Sequence, residues 1–321
     1  MTNPSRAVFL DHDSLDLGDL DLAPLHAAFS ELTLHGSSTP SEVAERLRTA
    51  TVVITNKAPI TAATFTANPQ LKLVLVAATG TNNVDLAAAR EHGVVVSNCQ
   101  GYGTPSVAQH TLMLLLALAT RLPDYQREIR QGKWQQAKQF CLLDFPIVEL
   151  EGKTLGLLGA GELGSAVARL AEAFGMRVLL GHLPGRPARP DRLPLEELLP
   201  QVDALTLHCP LNEHTQNLID TPQLNLMKPT AYLINTARGG LVNEQALADA
   251  LRRGHLGGAA TDVLIQEPPV DGNPLLADDI PRLIVTPHSA WGAREARQRI
   301  VAQMSENAAA FFNGAPKRQV S

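Results

Sequence analysis

The chain has 321 residues, 45% of them hydrophobic and 18% charged, with a formal net charge of -5. That length favours two ordinary domains over a single core, and the negative balance argues against a nucleic-acid partner, which needs a basic face. Cys99, Cys141 and Cys209 lie far apart and form no CxxC pair, so neither a disulfide framework nor a zinc motif is indicated and a reduced, cytoplasmic setting is expected. The N-terminus, MTNPSRAVFLDHDSLDL, lacks the charge, apolar run and cleavage order of a signal peptide. The most apolar helix candidate, LMLLLALA at 112–119, is far shorter than the roughly 20 residues that span a bilayer. No membrane association is expected.

In chain order, AVFL (7–10), TVVIT (51–55), LKLVLVAA (71–78) and VVVSN (94–98) read as strands. Helical patterns near 21–30, 40–49, 61–67 and 85–92 accompany them, and Gly93 sits where a helix C-cap is wanted. Next comes SVAQHTLMLLLALATRL (106–122), apolar beyond what one amphipathic face requires. It predicts a helix leading into a second domain, buried either within that domain or partly at a subunit interface. A second series of strands follows: KTLGLLG (153–159), MRVLL, DALTL, AYLIN, GAATDV and RLIVT. Between its second and third members, LPGRPARPDRLP (183–194) reads as an extended surface loop. The run from Ala293 to Phe312 is helical, with no strand behind it, and is expected to return to the first domain. The expected fold is α/β with two doubly wound domains, a Rossmann dinucleotide-binding domain (102–289) inserted in a flavodoxin-like substrate domain (1–101 and 290–321).

Gly159, Gly161 and Gly164 lie directly after an apolar strand and open a helical run, the context in which GxGxxG has physical meaning. The first glycine allows a tight turn, the second a close approach to a pyrophosphate, and the third close packing of helix on strand. The helix N-terminus, with Glu162 and Leu163 in its first turn, offers unpaired N–H groups to phosphate. NAD-selective sites place an acid about 20 residues further on, to hold the adenosine ribose. That place falls here to Gly181 or His182, and neither is acidic. A 2′-phosphate would meet no repulsion there, and Arg186 or Arg189 could bind it, so NADP(H) is favoured and NAD(H) stays open.

Six segments in order give the chain a whole-length resemblance to the D-isomer-specific 2-hydroxyacid dehydrogenase family, in its glycerate dehydrogenase or hydroxypyruvate (glyoxylate) reductase branch. They are GYGTPSVAQHTLMLLLAL, GKW with FCLLDFPIVELEGKTLGLLG, the mid-chain GAGELG, INTARGGLVNEQAL, TDVLIQEPP and VTPHSAW. The resemblance implies a catalytic trio: Arg238 to grip a 2-oxo acid, His288 as proton donor and Glu267 as its partner. These types belong together because hydride addition to a ketone develops negative charge on oxygen, which needs a cation and a proton.

It further implies that Ala78, Thr79 and Gly80 receive the substrate carboxylate alongside Arg238 and His288, and that Thr236, Ala237 and Asp262 line the nicotinamide. Asp262 could accept from the carboxamide, while Cys209, Pro210 and Thr215 belong to the cofactor-binding set, the first two beside the adenosine. Trp134, Phe140 and Trp291 are candidates to line the substrate pocket. A homodimer and a small 2-oxo or 2-hydroxy acid substrate are the expected partners. No metal is expected, because His208 and His214 have no carboxylate or cysteine cluster to complete a site. Phosphite oxidation and nucleotide sensing on the same fold are the alternatives.

Overall fold

Two sheets, every pairing in them parallel, organise the chain in a computed structural model that describes residues 5–321. The central strands of both sheets have valines, leucines and isoleucines buried on both faces, which is why they read as continuous apolar runs. One compact unit runs to Gly103 and resumes from Gly292 to Ser321; the other is Thr104–Trp291.

In the first unit the strands are β1 (Arg6–Phe9), β2 (Glu31–Leu34), β3 (Val52–Thr55), β4 (Leu73–Val76) and β5 (Val95–Ser97). Their order, β2-β1-β3-β4-β5, is flavodoxin-like. The helices between them are α1 (Ala23–Ala27), α2 (Pro40–Arg46), α3 (Ala62–Ala67) and α4 (Leu86–Glu91). Asp85 caps α4 by accepting from the Ala88 N–H, and Gly93, at φ +65°, takes the left-handed turn beyond its end. Strand β2 is absent from the sequence-based expectation. It is an edge strand of alternating exposed and half-buried residues, ELTL, so no apolar run announces it.

In the second unit, α5 (Thr104–Ala119) and α6 (Leu122–Arg130) precede β6 (Thr154–Leu158), α7 (Glu162–Ala173) and β7 (Arg177–Leu180). Then follow α8 (Leu195–Leu198), β8 (Ala204–Leu207), α9 (Thr221–Leu226), β9 (Tyr232–Asn235), α10 (Glu244–Arg252), β10 (Gly258–Thr261) and β11 (Leu283–Val285). The sheet order is β11-β10-β9-β8-β6-β7, so the chain reverses its direction of travel between β6 and β8. In such sheets ligands bind at the carboxyl ends of the strands flanking that reversal. Leu205, Leu207 and Leu233 pack into a core on one face, Leu155, Ile234 and Ala260 into a core on the other.

Helix α5 packs on α7, β9 and β10, with Leu112, Leu114, Leu115 and Leu118 buried. The expected single helix to 122 divides at Arg121, whose backbone is left-handed (φ +55°) and whose guanidinium is bonded to Asp124 and lies 5.1 Å over the Phe145 ring. Helix α6 has no buried residue, which explains why its mostly polar LPDYQREIR escaped an apolar-pattern reading. No helix among the described residues is long and apolar enough to cross a membrane.

The final helix, α11 (Arg294–Phe312), packs within the first unit on α1 and β4. It is tied there by Arg297, whose two terminal nitrogens each donate to one Asp19 carboxylate oxygen at 2.8 Å. Those hydrogen bonds hold the Asp19 carboxyl down to about 2, against a smaller opposing effect of burial. Because the native pKa is the lower one, this contribution to stability is complete above the ordinary carboxyl range and is lost as pH falls from about 4 towards 2. Thermal unfolding followed across that window is expected to show a steeper loss for the native chain than for Asp19→Asn, which has no titrating group there; identical slopes would contradict the assignment.

Candidate functional site

The reversal point is built around a backbone contact. Gly159 follows β6 at φ +102°, a conformation that favours glycine, and a Cβ there would lie 2.5 Å from the carbonyl of His208, which follows β8. A Cβ on Gly164 would lie 2.0 Å from the Gly159 oxygen, so α7 starts pressed against the turn. Gly161 is the N-cap of α7 and faces open space. Glu162 accepts from the Thr104 hydroxyl at 2.7 Å, and Leu163 is half-buried.

A cavity of about 390 Å³ opens here, lined among others by Gly159, Gly161, His182, Arg186, Arg192 and Cys209. The His208 ring, also in its wall, gives Nε2 to Thr206 Oγ1 at 2.9 Å and leaves a buried Nδ1 with no partner among the described residues. Burial pushes its pKa down to about 4, so a neutral ring stands in the wall. The Cys209 thiol is pushed up to about 11 by burial and is correspondingly unreactive. Pro210 is exposed and takes the Thr215 hydroxyl on its carbonyl at 2.7 Å, while Asn212 N–H donates to the same hydroxyl, shaping the loop. A helix N-terminus facing an open cavity, an orphaned ring nitrogen and a turn that excludes side chains fit a dinucleotide.

Around the position expected to hold the ribose, Gly181 is enclosed: a Cβ there would lie 2.2 Å from Leu158 Cδ2 and 2.8 Å from Leu198 Cδ2. His182 donates its N–H to Leu193 at 2.7 Å, which turns the Pro/Arg-rich loop back along the cavity. Arg189 is engaged with Asp191 at 3.0 Å, whereas Arg186 and Arg192 form no ion pair among the described residues. Arg192 did not emerge from the sequence; it lies ten residues past His182 and reaches the cavity only because the loop turns back.

At the ends of β9, β10 and β11 the chemistry-bearing side chains gather. Asn235, buried at the end of β9, accepts from Ala237 N–H at 3.1 Å and donates to the Arg238 carbonyl at 2.8 Å, which fixes the turn carrying Arg238. The Arg238 side chain is exposed, with Nη1 on the Ala237 carbonyl, and has no carboxylate partner among the described residues. Thr236 shares a 2.9 Å hydrogen bond with Thr111 of α5. A Cβ on Gly239 would lie 2.1 Å from the Leu264 carbonyl carbon, so only glycine lets these two turns meet. Leu264 N–H in turn donates to Glu267 Oε1 at 2.8 Å, and the other oxygen, Oε2, lies 2.6 Å from His288 Nδ1. The His288 and Glu267 side chains are 29% and 33% exposed, so the pair is not sealed from solvent. His288 itself has φ +52°, a left-handed conformation that costs a non-glycine residue about 1–3 kcal/mol and persists only where its surroundings enforce it.

Those surroundings centre on Asp262, 1% exposed. Its carboxylate accepts from Thr286 Oγ1 at 2.5 Å, Ser289 N–H at 2.9 Å and Ala290 N–H at 2.9 Å, and its carbonyl accepts from His288 N–H at 2.7 Å. In the first unit, the Ala78 carbonyl accepts from Cys99 N–H and the Thr79 carbonyl from Asn98, while the Thr79 and Gly80 amides have no partner among the described residues. Trp134 donates to the Phe140 carbonyl at 2.9 Å, both rings being exposed, and Trp291 is half-buried. Among the described residues no group of three or more His, Cys, Asp or Glu could hold a metal.

The fold and site define a dinucleotide-dependent oxidoreductase, and comparison with known proteins specifies which. Residues 112–290 match the family model described as D-isomer specific 2-hydroxyacid dehydrogenase, NAD binding domain. A glycerate dehydrogenase of Methylorubrum extorquens is 44% identical, over 98% of each chain. A hydroxypyruvate reductase of Blautia hydrogenotrophica is 35% identical, over 98% of this chain and 99% of that one. Among solved structures, the acyclic imino acid reductase Bsp5, in complex with NADPH and D-Arg, superposes with a TM-score of 0.83 at 26% identity, covering 98% of this chain and 100% of that one. The chain belongs to the D-isomer specific 2-hydroxyacid dehydrogenase family. It is an oxidoreductase that uses a nicotinamide cofactor to interconvert 2-oxo and 2-hydroxy acids.

Proposed function

We propose that this enzyme reduces a small 2-oxo acid, hydroxypyruvate or glyoxylate, with NADPH, and that His288 supplies the proton. The observation that carries the reading is the 2.6 Å contact between His288 Nδ1 and Glu267 Oε2, with the carboxylate itself anchored by Leu264 N–H. It commits Nδ1–H to Glu267 and leaves Nε2 as the edge that meets substrate. A nicotinamide cofactor, when bound at the Gly159–Gly164 turn, would supply the hydride that the carbonyl carbon accepts. Arg238, uncommitted to any carboxylate among the described residues, neutralises the charge that develops on oxygen and holds the substrate carboxylate. His288 delivers its Nε2 proton to that oxygen and acts as base in the reverse direction. The amides of Thr79 and Gly80, which have no partner among the described residues, suit a carboxylate. The names of the glycerate dehydrogenase and hydroxypyruvate reductase relatives favour the three-carbon substrate.

Preference for NADPH rests on the absence of an acid at Gly181 and His182 and on the uncommitted guanidiniums of Arg186 and Arg192 in the cavity wall. Steady-state rates with glyoxylate, hydroxypyruvate, pyruvate and bulkier 2-oxo acids test both parts. We expect kcat/KM to be at least about tenfold higher with NADPH than with NADH, and replacing Arg186 and Arg192 together by Ala to remove most of that margin while NADH rates stay within about twofold. A tenfold preference for NADH would contradict the cofactor assignment.

The segment 131–149 exposes Trp134, Phe140 (89%), Leu143 and Ile147, a concentration of apolar surface that suits burial against a second copy of the chain, and we assign a homodimer to it. Cys99, Cys141 and Cys209 are all unpaired thiols, which suits a cytoplasmic setting. Light scattering after size exclusion is expected to give a dimer, and Phe140→Asp with Leu143→Asp a monomer; an unchanged mass would place the interface elsewhere.

A further inference from the structure

Helix α5 is apolar over most of its surface, yet its polar residues meet the strand-end loops one after another. Ser106 Oγ donates to the Ala290 carbonyl at 2.6 Å, His110 Nε2 lies 3.0 Å from Thr286 Oγ1, and Thr111 pairs with Thr236. Two of these contacts hold the loop that carries His288, one at each end of it. No reading of the sequence singles out His110, and a histidine on an apolar helix is ordinarily a packed core residue.

The donor sequence here is determined by counting protons. The Thr286 hydroxyl carries one hydrogen, and at 2.5 Å it is committed to Asp262 Oδ1, which as a carboxylate can only accept. The 3.0 Å contact to His110 therefore needs its hydrogen from Nε2, and the same Nε2 is 3.5 Å from Asp262 Oδ1. A chain of hydrogen bonds runs from His110 through Thr286 to Asp262, and from Asp262 back to the backbone of His288, Ser289 and Ala290. Bonds in such a chain polarise one another and strengthen together in a buried setting.

We infer that His110 is a positioning residue for the proton donor: its Nε2–H orients the Thr286 hydroxyl onto Asp262 and so helps enforce the left-handed turn that aims His288. The inference rests on the assignment of His288 as proton donor. His110 touches none of the reacting groups itself, so its effect must appear as misplacement of His288, while the cofactor cavity of Gly159, Arg186 and Cys209 is lined by other residues.

The test compares His110→Leu, His110→Gln and His288→Gln in the full-length enzyme, reading kcat, KM, NADPH affinity by fluorescence, and amide hydrogen exchange at Ser289 and Ala290. For His110→Leu we expect kcat to fall about tenfold or more, KM and NADPH Kd to stay within about threefold, and exchange at both amides to speed up. His110→Gln, which keeps an N–H for Thr286, should recover most of kcat and of the protection. Wild-type kcat and exchange in His110→Leu would overturn the inference. So would equal losses of kcat, NADPH binding and thermal stability in the Leu and Gln variants, which is what a purely structural role gives. His288→Gln separates the two assignments: if it retains kcat, the proton-donor reading fails, whereas if it loses kcat while His110→Leu keeps it, only the role of His110 fails.

Discussion

A buried carboxylate is costly unless its oxygens are supplied with donors, and Asp262 is supplied almost entirely by one short loop. Thr286, Ser289 and Ala290 all point their hydrogens at it, and the His288 amide points at its carbonyl. To satisfy that many acceptors within five residues, the loop after β11 must curl tightly, and the left-handed backbone of His288 is the consequence. The strained residue is then the one whose ring reaches Glu267. Geometry at the Glu267–His288 pair is in this sense a by-product of satisfying a carboxylate behind it, and α5 supports the arrangement from the other side.

Two close backbone approaches divide the labour of the second unit. At Gly159 the turn after β6 meets the end of β8, beside the cavity between the loops. At Gly239 the turn after β9 meets Leu264, which brings the carboxylate of Glu267 within reach of its own anchoring amide and of His288. The first approach lies at the glycine turn of the cavity, and the second sets the contact between Glu267 and His288. The Pro/Arg-rich loop at 183–194 lines the same cavity as the Gly159 turn and takes no part in the Glu267–His288 contact.

Much of this was legible in the sequence, for physical reasons. Central parallel strands buried on both faces read as apolar runs, and the partly buried β7 and β11 are still apolar in sequence, so each strand of the second unit is anticipated to within a residue or two, whereas the half-exposed edge strand β2 and the solvent-facing α6 are silent. The glycine turn is visible because its spacing is local. Arg238, Glu267 and His288 were singled out by resemblance to a family and not by spacing, since nothing in a 21-residue separation says that Glu267 and His288 touch. Arg192 and His110 were hidden for the same reason: each acts on a partner brought near by the sheet, Arg192 through a loop that turns back and His110 across a helix-to-strand packing contact. The family resemblance implies that Asp262 faces the nicotinamide, and its network with the 286–290 loop is visible only in three dimensions.

With a nicotinamide cofactor to supply hydride and His288, at the end of β11, to supply the proton, reduction of a 2-oxo acid would be stereospecific. The most direct test is the configuration of the product. Hydroxypyruvate reduced with NADPH should give D-glycerate, resolved by chiral chromatography, in an amount equal to the NADPH consumed. L-glycerate, a racemate, or cofactor oxidation without glycerate would contradict it.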